Sequence, residues 1–159
     1  MSRQPIALSG KVALITGAGQ GIGASVGRLL LDRGASVVLV DVNAQALESV
    51  AAELASDRVL TVEADVRDLD SMMAAVRRAG DRFGQVNIAV ANAGVTPPPA
   101  TLRTVEPGAF ERVIDINLMG VFNTARACIE DVIATRGRIQ VVGSCAAFAP
   151  GMGGSAYMI

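Results

Sequence analysis

The sequence predicts an α/β fold built on a doubly wound parallel sheet with the strand order 3-2-1-4-5. Short runs rich in β-branched residues alternate with longer segments of helical period along the 159 residues. A strand followed by a helix, repeated, gives parallel strands joined by right-handed crossovers. The predicted strands are apolar on successive residues, which indicates that helices cover both faces of the sheet. A glycine-rich turn after the first strand is the third observation, because ligands bind such folds at the carboxyl ends of the strands.

The same hydrophobic periods predict the individual strands and helices in chain order. Five strands are predicted, at 12–15, 37–40, 59–62, 88–90 and 139–142. Four helical segments are predicted, around 21–33, 43–55, 68–83 and 106–134. A proline-rich run at 96–101 follows the fourth strand and is predicted to form a rigid, extended loop beside the ligand crevice. We expect residues 1–159 to belong to one domain, since this length and 51% hydrophobic residues are enough for a single sizeable core.

Composition excludes several classes of function. The 14 Lys and Arg residues nearly balance the 15 Asp and Glu residues, which argues against nucleic acid as a partner. No stretch long enough to cross a membrane is free of charged residues and glycine, and the amino terminus lacks the apolar region of a signal peptide. A cytoplasmic protein with no membrane partner is therefore expected. The chain has no histidine and only Cys128 and Cys145 as cysteines, which excludes Ser-His and Cys-His catalysis within it and predicts no metal site.

The glycine-rich turn between the first strand and the first helix is the most informative feature of the chain. Glycine allows a phosphate to approach the backbone closely, and the free N–H groups at the start of a helix attract negative charge. The turn therefore predicts a cradle for the pyrophosphate of a dinucleotide, although glycine also collects in turns for purely conformational reasons. The predicted cofactor contacts in this turn are Gly17, Gly19, Gln20, Gly21, Ile22 and Gly23.

Polar residues stand where the second, third and fourth strands end. Asp41 closes the second strand, ahead of Val42, and its carboxylate can accept both ribose hydroxyls of an adenosine and repel a 2′-phosphate. No arginine or lysine stands beside it to bind such a phosphate, so NAD is favoured over NADP. Taken singly, Asp41 is also explained as a turn residue or a helix cap. Asp65 ends the third strand and Asn92-Ala93-Gly94 ends the fourth, and three polar strand ends converging on one crevice favour a binding site.

Five motifs occur in order along the chain. They are T-G-x-x-x-G-I-G at 16–23, Asp65-Val66, Asn92-Ala93-Gly94, Asn117-Leu118-Met119-Gly120 and the pair Ser144 and Tyr157. Together, from about residue 10 to residue 159, they resemble the short-chain dehydrogenases and reductases in their single-domain form. The first motif is similar to the family's cofactor turn, and the second to its adenine contact. The last is similar to its catalytic serine and tyrosine, and the implied fold is of the Rossmann type.

The resemblance implies a role for each catalytic candidate. Tyr157 would exchange a proton with the substrate oxygen while a hydride passes between NAD and the substrate carbon. Ser144 would hydrogen-bond that oxygen as charge develops on it, and Asn117 would hold a water in the proton relay. Taken singly, the three residues are also explained as a half-buried aromatic, a turn residue and an exposed helix position. The implied function is that of an NAD-dependent oxidoreductase that interconverts a secondary alcohol and a ketone.

One departure from the family's pattern is large. The family's tyrosine is followed four residues later by a lysine, but this sequence ends at Ile159, two residues after Tyr157. We therefore expect the sequence to be the amino-terminal part of a longer enzyme, and the chain as given to be inactive. Two other hypotheses stay open. One is a truncated module that binds NAD without catalysis, and the other is a methyltransferase, against which the spacing of Ser144 and Tyr157 argues.

The segment at 110–133 is apolar around more of its circumference than contact with one sheet can bury. We expect it to face another subunit, which predicts a homodimer or homotetramer for the full-length enzyme. Near the expected site, the apolar residues at 146–148 and the prolines at 97–99 favour a partly apolar small-molecule substrate, whose identity the sequence leaves open.

Overall fold

The computed structural model describes residues 7–148 and Tyr157. Within them, five parallel strands form one sheet in the order β3-β2-β1-β4-β5, which confirms the predicted fold class. The strands are β1 Val12–Thr16, β2 Ser36–Asp41, β3 Val59–Glu63, β4 Ile88–Ala91 and β5 Arg138–Val141. Every strand boundary lies within one residue of its predicted place, because short β-branched runs are strong local signals.

The register across the sheet is parallel throughout. Leu14 in β1 pairs with Val38 on one side and with Ala89 on the other. Val38 in turn pairs with Leu60, and Ala89 pairs with Ile139. The chain thus builds outward from β1 to β3 and then crosses to the other side of β1 to form β4 and β5. A crevice forms at such a switch, outside the carboxyl ends of the strands.

Helices lie on both faces of the sheet. They are α1 Gly21–Asp32, α2 Ala44–Leu54, α3 Leu69–Phe83, α4 Pro107–Ile114 and α5 Gly120–Ala134. Asn43 caps α2 by accepting a hydrogen bond from the Ala46 N–H, and Asp68 caps α3 through the Asp70 N–H. Pro107 begins α4, at a position where a helix needs no N–H donor.

The strand side chains divide between two cores, one on each face of the sheet. Leu14, Val38 and Val40 belong to the core under α3 and α5, where Met72 and Cys128 are fully buried. The core under α1 and α2 includes Ile15, Leu31, Val37, Leu39 and Leu47. Because the central strands are buried on both faces, they are apolar on successive residues rather than alternating.

The prediction of a single helix at 106–134 is wrong in one respect. A five-residue π-helical turn, Asp115–Met119, separates α4 from α5. Asn117 lies at its centre, and both ends of its side-chain amide bond to the backbone of Val95. A wider turn changes the direction of the side chains within it, and the periodicity of apolar residues does not reveal one extra residue in a turn.

Three findings concern only the part of the chain that the structure describes. No helix there is long and apolar enough to span a membrane. The same residues contain no group of three or more His, Cys, Asp or Glu side chains that could hold a metal ion. Cys128 and Cys145 are both free, and burial raises the pKa of the Cys128 thiol to about 12.

Candidate functional site

A cavity of about 780 Å³ opens at the carboxyl ends of the strands, between the turn after β1 and the end of β4. This volume is in the range of small-molecule sites. The predicted cofactor contacts that line it are Gly17, Gln20, Gly21, Ile22, Asp41, Val42, Asp65, Val66, Asn92, Ala93 and Gly94. Gly19 and Gly23 are buried behind them and shape the turn. The sequence reasoning missed the charged lining residues Arg67, Glu111, Arg112 and Asp115.

The glycine turn needs glycine at two places for different reasons. Gly17 has a φ of +65°, which side-chain-bearing residues rarely adopt. A Cβ on Gly23 would lie 2.2 Å from the carbonyl oxygen of Gly17, so no larger residue fits there. The turn leads into α1, whose N-cap residue Gln20 makes no side-chain capping bond. The N–H groups at the start of this helix are therefore left for an anion in the cavity.

Asp41 is held at the rim of the cavity by two backbone donors. Its Oδ2 accepts a hydrogen bond from the Gly19 N–H at 2.9 Å, and its Oδ1 accepts one from the Asn43 N–H at 3.0 Å. A Cβ on Gly19 would lie 3.0 Å from Oδ2, so the glycine also makes room for the carboxylate. A carboxylate has about four acceptor positions, which leaves Asp41 two for a ligand.

Thr16 and Asn92 join the glycine turn to the end of β4. The buried Thr16 hydroxyl accepts hydrogen bonds from the N–H groups of Asn92 and Ala93, each at 3.1 Å. The Asn92 side-chain nitrogen donates to the carbonyl oxygens of Thr16 and Gly17, at 2.9 and 3.2 Å. Asn92 thus positions the turn with both of its amide hydrogens. Sequence reasoning missed the role of Thr16, although a polar residue at the end of a buried strand is a usable signal.

Asp65 makes its main contacts with Arg67, two residues later. The Arg67 side chain donates to both carboxylate oxygens, with Nε at 3.0 Å from Oδ1 and 2.9 Å from Oδ2. These hydrogen bonds hold the pKa of Asp65 below its usual range, because they favour the charged carboxylate. The negative charge of Asp65, which lines the cavity, is therefore paired with the positive charge of Arg67.

Val66 is positioned from α5. The side-chain nitrogen of Asn123, which is buried, donates to the Val66 carbonyl oxygen at 2.9 Å. A Cβ on Gly120 would lie only 2.6 Å from Val66 Cγ2, so Gly120 allows the helix to approach this wall of the cavity. The glycine of the Asn117-Leu118-Met119-Gly120 motif thus serves packing against Val66.

Asn117 binds the loop that follows β4. Its Oδ1 accepts from the Val95 N–H at 2.8 Å, and its Nδ2 donates to the Val95 carbonyl oxygen at 2.9 Å. Both ends of the amide thereby bind one residue of the cavity wall, and each end keeps one further hydrogen-bonding position. The predicted water-holding role of Asn117 stays a prediction.

Ser144 and Tyr157, the predicted catalytic pair, belong to two separate described parts of the chain. Ser144 is half-buried after β5, and its Oγ accepts a hydrogen bond from the Ala146 N–H at 3.2 Å. Tyr157 is half-buried in a turn, and residues 149–156 before it lie outside the described part of the chain. The roles of both residues remain predictions.

Comparison with known proteins gives several matches to this chain. A family model described as short chain dehydrogenase matches residues 11–158. The chain is 46% identical over 117 residues to the cis-4-hydroxycyclohexanecarboxylate dehydrogenase of Sinomonas cyclohexanicum, across 72% of this chain and 47% of that protein. It is 36% identical over 155 residues to the (-)-trans-carveol dehydrogenase of Rhodococcus erythropolis, across 88% of this chain and 56% of that protein. The chain therefore spans about half the length of these curated relatives.

A solved structure has the same fold. It is the 3-ketoacyl-(acyl-carrier-protein) reductase from Brucella melitensis complexed with NADH, with a TM-score of 0.90 and 36% sequence identity. The match covers 96% of this chain and 64% of that chain. The parallel sheet and its flanking helices are accordingly of the Rossmann type.

Proposed function

The chain belongs to the short-chain dehydrogenase family, and from this premise we propose that it binds NAD in the cavity beside the glycine turn. The proposed activity of the whole protein is the interconversion of a secondary alcohol and a ketone. The observation that supports this most directly is the cradle itself. An added Cβ would collide with neighbouring backbone at Gly17, before an uncapped helix start, and at Gly23, in the first turn of that helix, and the Asp41 carboxylate is fixed beside them. These residues fit the pyrophosphate and ribose of a dinucleotide.

The order of the strands supports the orientation of the cofactor. The pyrophosphate would lie on the N–H groups of Gly21 and Ile22, at the start of α1. Asp41, at the end of β2, would accept hydrogen bonds from the adenosine ribose, and Asp65 and Val66, at the end of β3, would contact the adenine. The nicotinamide would then lie on the other side of the switch, near Gly94 and Val95 at the end of β4.

The chemistry proposed for this chain is proton transfer at the substrate oxygen. NAD, when bound, supplies the carbon that accepts or donates the hydride. Tyr157 takes the proton from the alcohol oxygen during oxidation or gives it back during reduction. Ser144 stabilises the charge that develops on that oxygen, and Asn117 holds a water that carries the proton onward.

The substrate proposal is a small, partly apolar secondary alcohol. Two of the relatives are named as dehydrogenases of a hydroxy acid and of carveol. Phe148 is 92% exposed, so an apolar side chain is accessible four residues after the proposed catalytic serine. The acid and the terpene alcohol in those names differ enough that neither is assigned to this chain.

Cofactor choice tests the role of Asp41. We expect NADH to bind at least about tenfold more tightly than NADPH, a difference of about 1.4 kcal/mol, since the carboxylate repels a 2′-phosphate. Asp41→Ala should reduce the ratio of the NADPH to the NADH dissociation constant. Asp81→Ala, which removes an exposed aspartate from α3, should leave that ratio unchanged. Fluorescence titration of the three proteins with both nucleotides measures the ratios. Equal or tighter NADPH binding by the wild type would refute the assignment.

Catalysis tests the role of Tyr157. A neighbouring ammonium favours the ionised form of a tyrosine, which accepts a proton from an alcohol, and the family's lysine would stand at position 161. We expect the 159-residue chain to show no alcohol oxidation above background at neutral pH. A version extended through position 161 and the rest of the domain should be active and lose activity on Tyr157→Phe. The rate of NADH formation with a panel of secondary alcohols measures the activity of the 159-residue chain, the extended protein and its Tyr157→Phe variant.

Two outcomes of the catalysis experiment contradict the proposal. Turnover by the 159-residue chain would mean that no residue after Ile159 is needed for catalysis, and an unimpaired Tyr157→Phe variant of the longer protein would mean that the tyrosine does not transfer the proton. An inactive extended protein that still binds NADH would favour the non-catalytic binding module instead.

A further inference from the structure

The end of the cavity beside β2 and β3 is lined by apolar residues and one pair of charged residues. Val42, Ala64 and Val66 line this end, where β2 and β3 finish. Asp65 and Arg67 supply the charged groups beside them. Under the proposed function, on which this inference rests, the base of the dinucleotide lies at this end of the cavity and its polar edge meets that pair of side chains.

Arg67 occupies almost all of the acceptor positions of the Asp65 carboxylate. Arg67 places Nε and a terminal nitrogen against it, and the Arg67 backbone N–H donates to Oδ1 at 2.9 Å. A carboxylate has about four acceptor positions, and three N–H groups of Arg67 make four contacts with it, because the single Nε–H is shared between both oxygens. Little of Asp65 is therefore left to accept a hydrogen bond from the amino group of an adenine.

The Arg67 guanidinium keeps donors of its own. A guanidinium carries five N–H groups, and the contacts with Asp65 leave some of them free. The Arg67 side chain is 50% exposed, so these donors can reach a ligand in the cavity that it lines. A carboxylate prefers an exocyclic amino group, whereas a guanidinium prefers a carbonyl oxygen at the edge of a base.

We propose that Arg67 is a specificity-determining residue for the base of the dinucleotide, and that it makes the cavity accept a 6-oxopurine about as well as a 6-aminopurine. Asp65 alone would select adenine. Arg67 weakens that selection in two ways, since it occupies the carboxylate and presents donors to a 6-oxo group.

The test compares NADH with reduced nicotinamide hypoxanthine dinucleotide, in which a carbonyl oxygen replaces the adenine amino group. We expect the two dissociation constants of the wild-type chain to agree within about threefold. Arg67→Ala should free Asp65 and widen the preference for NADH to about tenfold or more. Asp65→Asn should shift the ratio in the opposite direction, toward the hypoxanthine nucleotide, because Arg67 then loses its carboxylate partner.

The matched control is Arg77→Ala, which removes an exposed arginine from α3 and should leave the ratio at its wild-type value. Circular dichroism of each variant checks that it is folded. A wild type that prefers NADH by tenfold or more, or an unchanged ratio in both the Arg67 and Asp65 variants, would overturn this inference alone. Binding of neither nucleotide by the folded wild type would overturn the proposed function and this inference together.

Discussion

At the level of single residues, the shape of the cavity depends on three glycines at which any side chain would collide with a neighbouring group. Gly19 leaves room for the Asp41 carboxylate, Gly23 for the Gly17 carbonyl oxygen and Gly120 for Val66. In each case the added Cβ would lie at 3.0 Å or less from its neighbour. These three glycines therefore allow the backbone to approach a side chain or a second stretch of backbone closely.

Gly23→Ala is the strictest test of this packing. The new Cβ would lie 2.2 Å from a carbonyl oxygen, which must move and take the turn with it. We expect a loss of about 1–3 kcal/mol in the free energy of unfolding, and at least about tenfold weaker NADH binding. Urea denaturation and fluorescence titration measure the two effects.

Gly80→Ala is the matched control for that variant. Gly80 lies exposed within α3, and a Cβ there meets nothing within 4 Å. Its replacement should raise the free energy of unfolding by about 0.5–1 kcal/mol, because alanine loses less backbone entropy in a helix. A Gly23 variant as stable as the wild type and with intact NADH binding would show that the turn is not built as described.

At the level of elements, the π-helical turn connects α5 to the loop that follows β4. Asn117 lies in this turn and holds both polar backbone groups of Val95, while Gly94 approaches its side chain. The turn is thus anchored by one residue to a wall of the cavity. Short π-helical turns occur frequently at functional sites, where they change the direction of one side chain without ending the helix.

Asn117→Ala should release this loop. The part-buried N–H and C=O of Val95 would lose their partner, which costs about 1–3 kcal/mol of stability. Hydrogen exchange of the Val95 amide should accelerate strongly while the amides of β1 stay protected. Leu118→Ala, at an exposed neighbouring position, is the control and should change stability by no more than about 0.5 kcal/mol. Unchanged exchange at Val95 would contradict the anchoring role.

At the level of the whole molecule, an apolar surface remains uncovered along the π-helical turn and α5. Leu118 is 59% exposed, Phe122 56% and Ile133 65%, whereas Val113, Cys128 and Val132 of the same predicted segment are buried in the subunit. Contact with the sheet thus accounts for part of the apolar circumference of this segment. The remainder is the basis for the prediction of a homodimer or homotetramer.

Light scattering across a range of protein concentrations tests this assembly. We expect the full-length protein to form a homodimer or homotetramer, and Phe122→Ser to weaken the association, since it removes apolar area from the exposed face. Leu29→Ser, at a similarly exposed position on α1, serves as the control and should leave the mass unchanged. A strictly monomeric wild-type protein would show that this face is covered within the subunit.

The strand order and the residues around the crevice were predictable from sequence because their signals are local. β-branched runs, helical periods and the glycine turn each occupy a few consecutive residues, and the doubly wound arrangement that they indicate has a characteristic strand order. Gly17, Asp41 and Asn92 line one cavity for the same reason, since the ends of parallel strands meet at one edge.

Only the tertiary structure decided how the polar groups of the cavity are paired. Asn92 and Thr16 are 76 positions apart in the sequence, and Asn123 and Val66 are 57 apart, so no local pattern could indicate their hydrogen bonds. The pairing of Asp65 with Arg67 is close in sequence, but it depends on how the loop after β3 turns over the end of the sheet. Hydrogen bonds require the donor–acceptor distance to lie within a few tenths of an ångström of its preferred value, a precision that composition and periodicity do not carry.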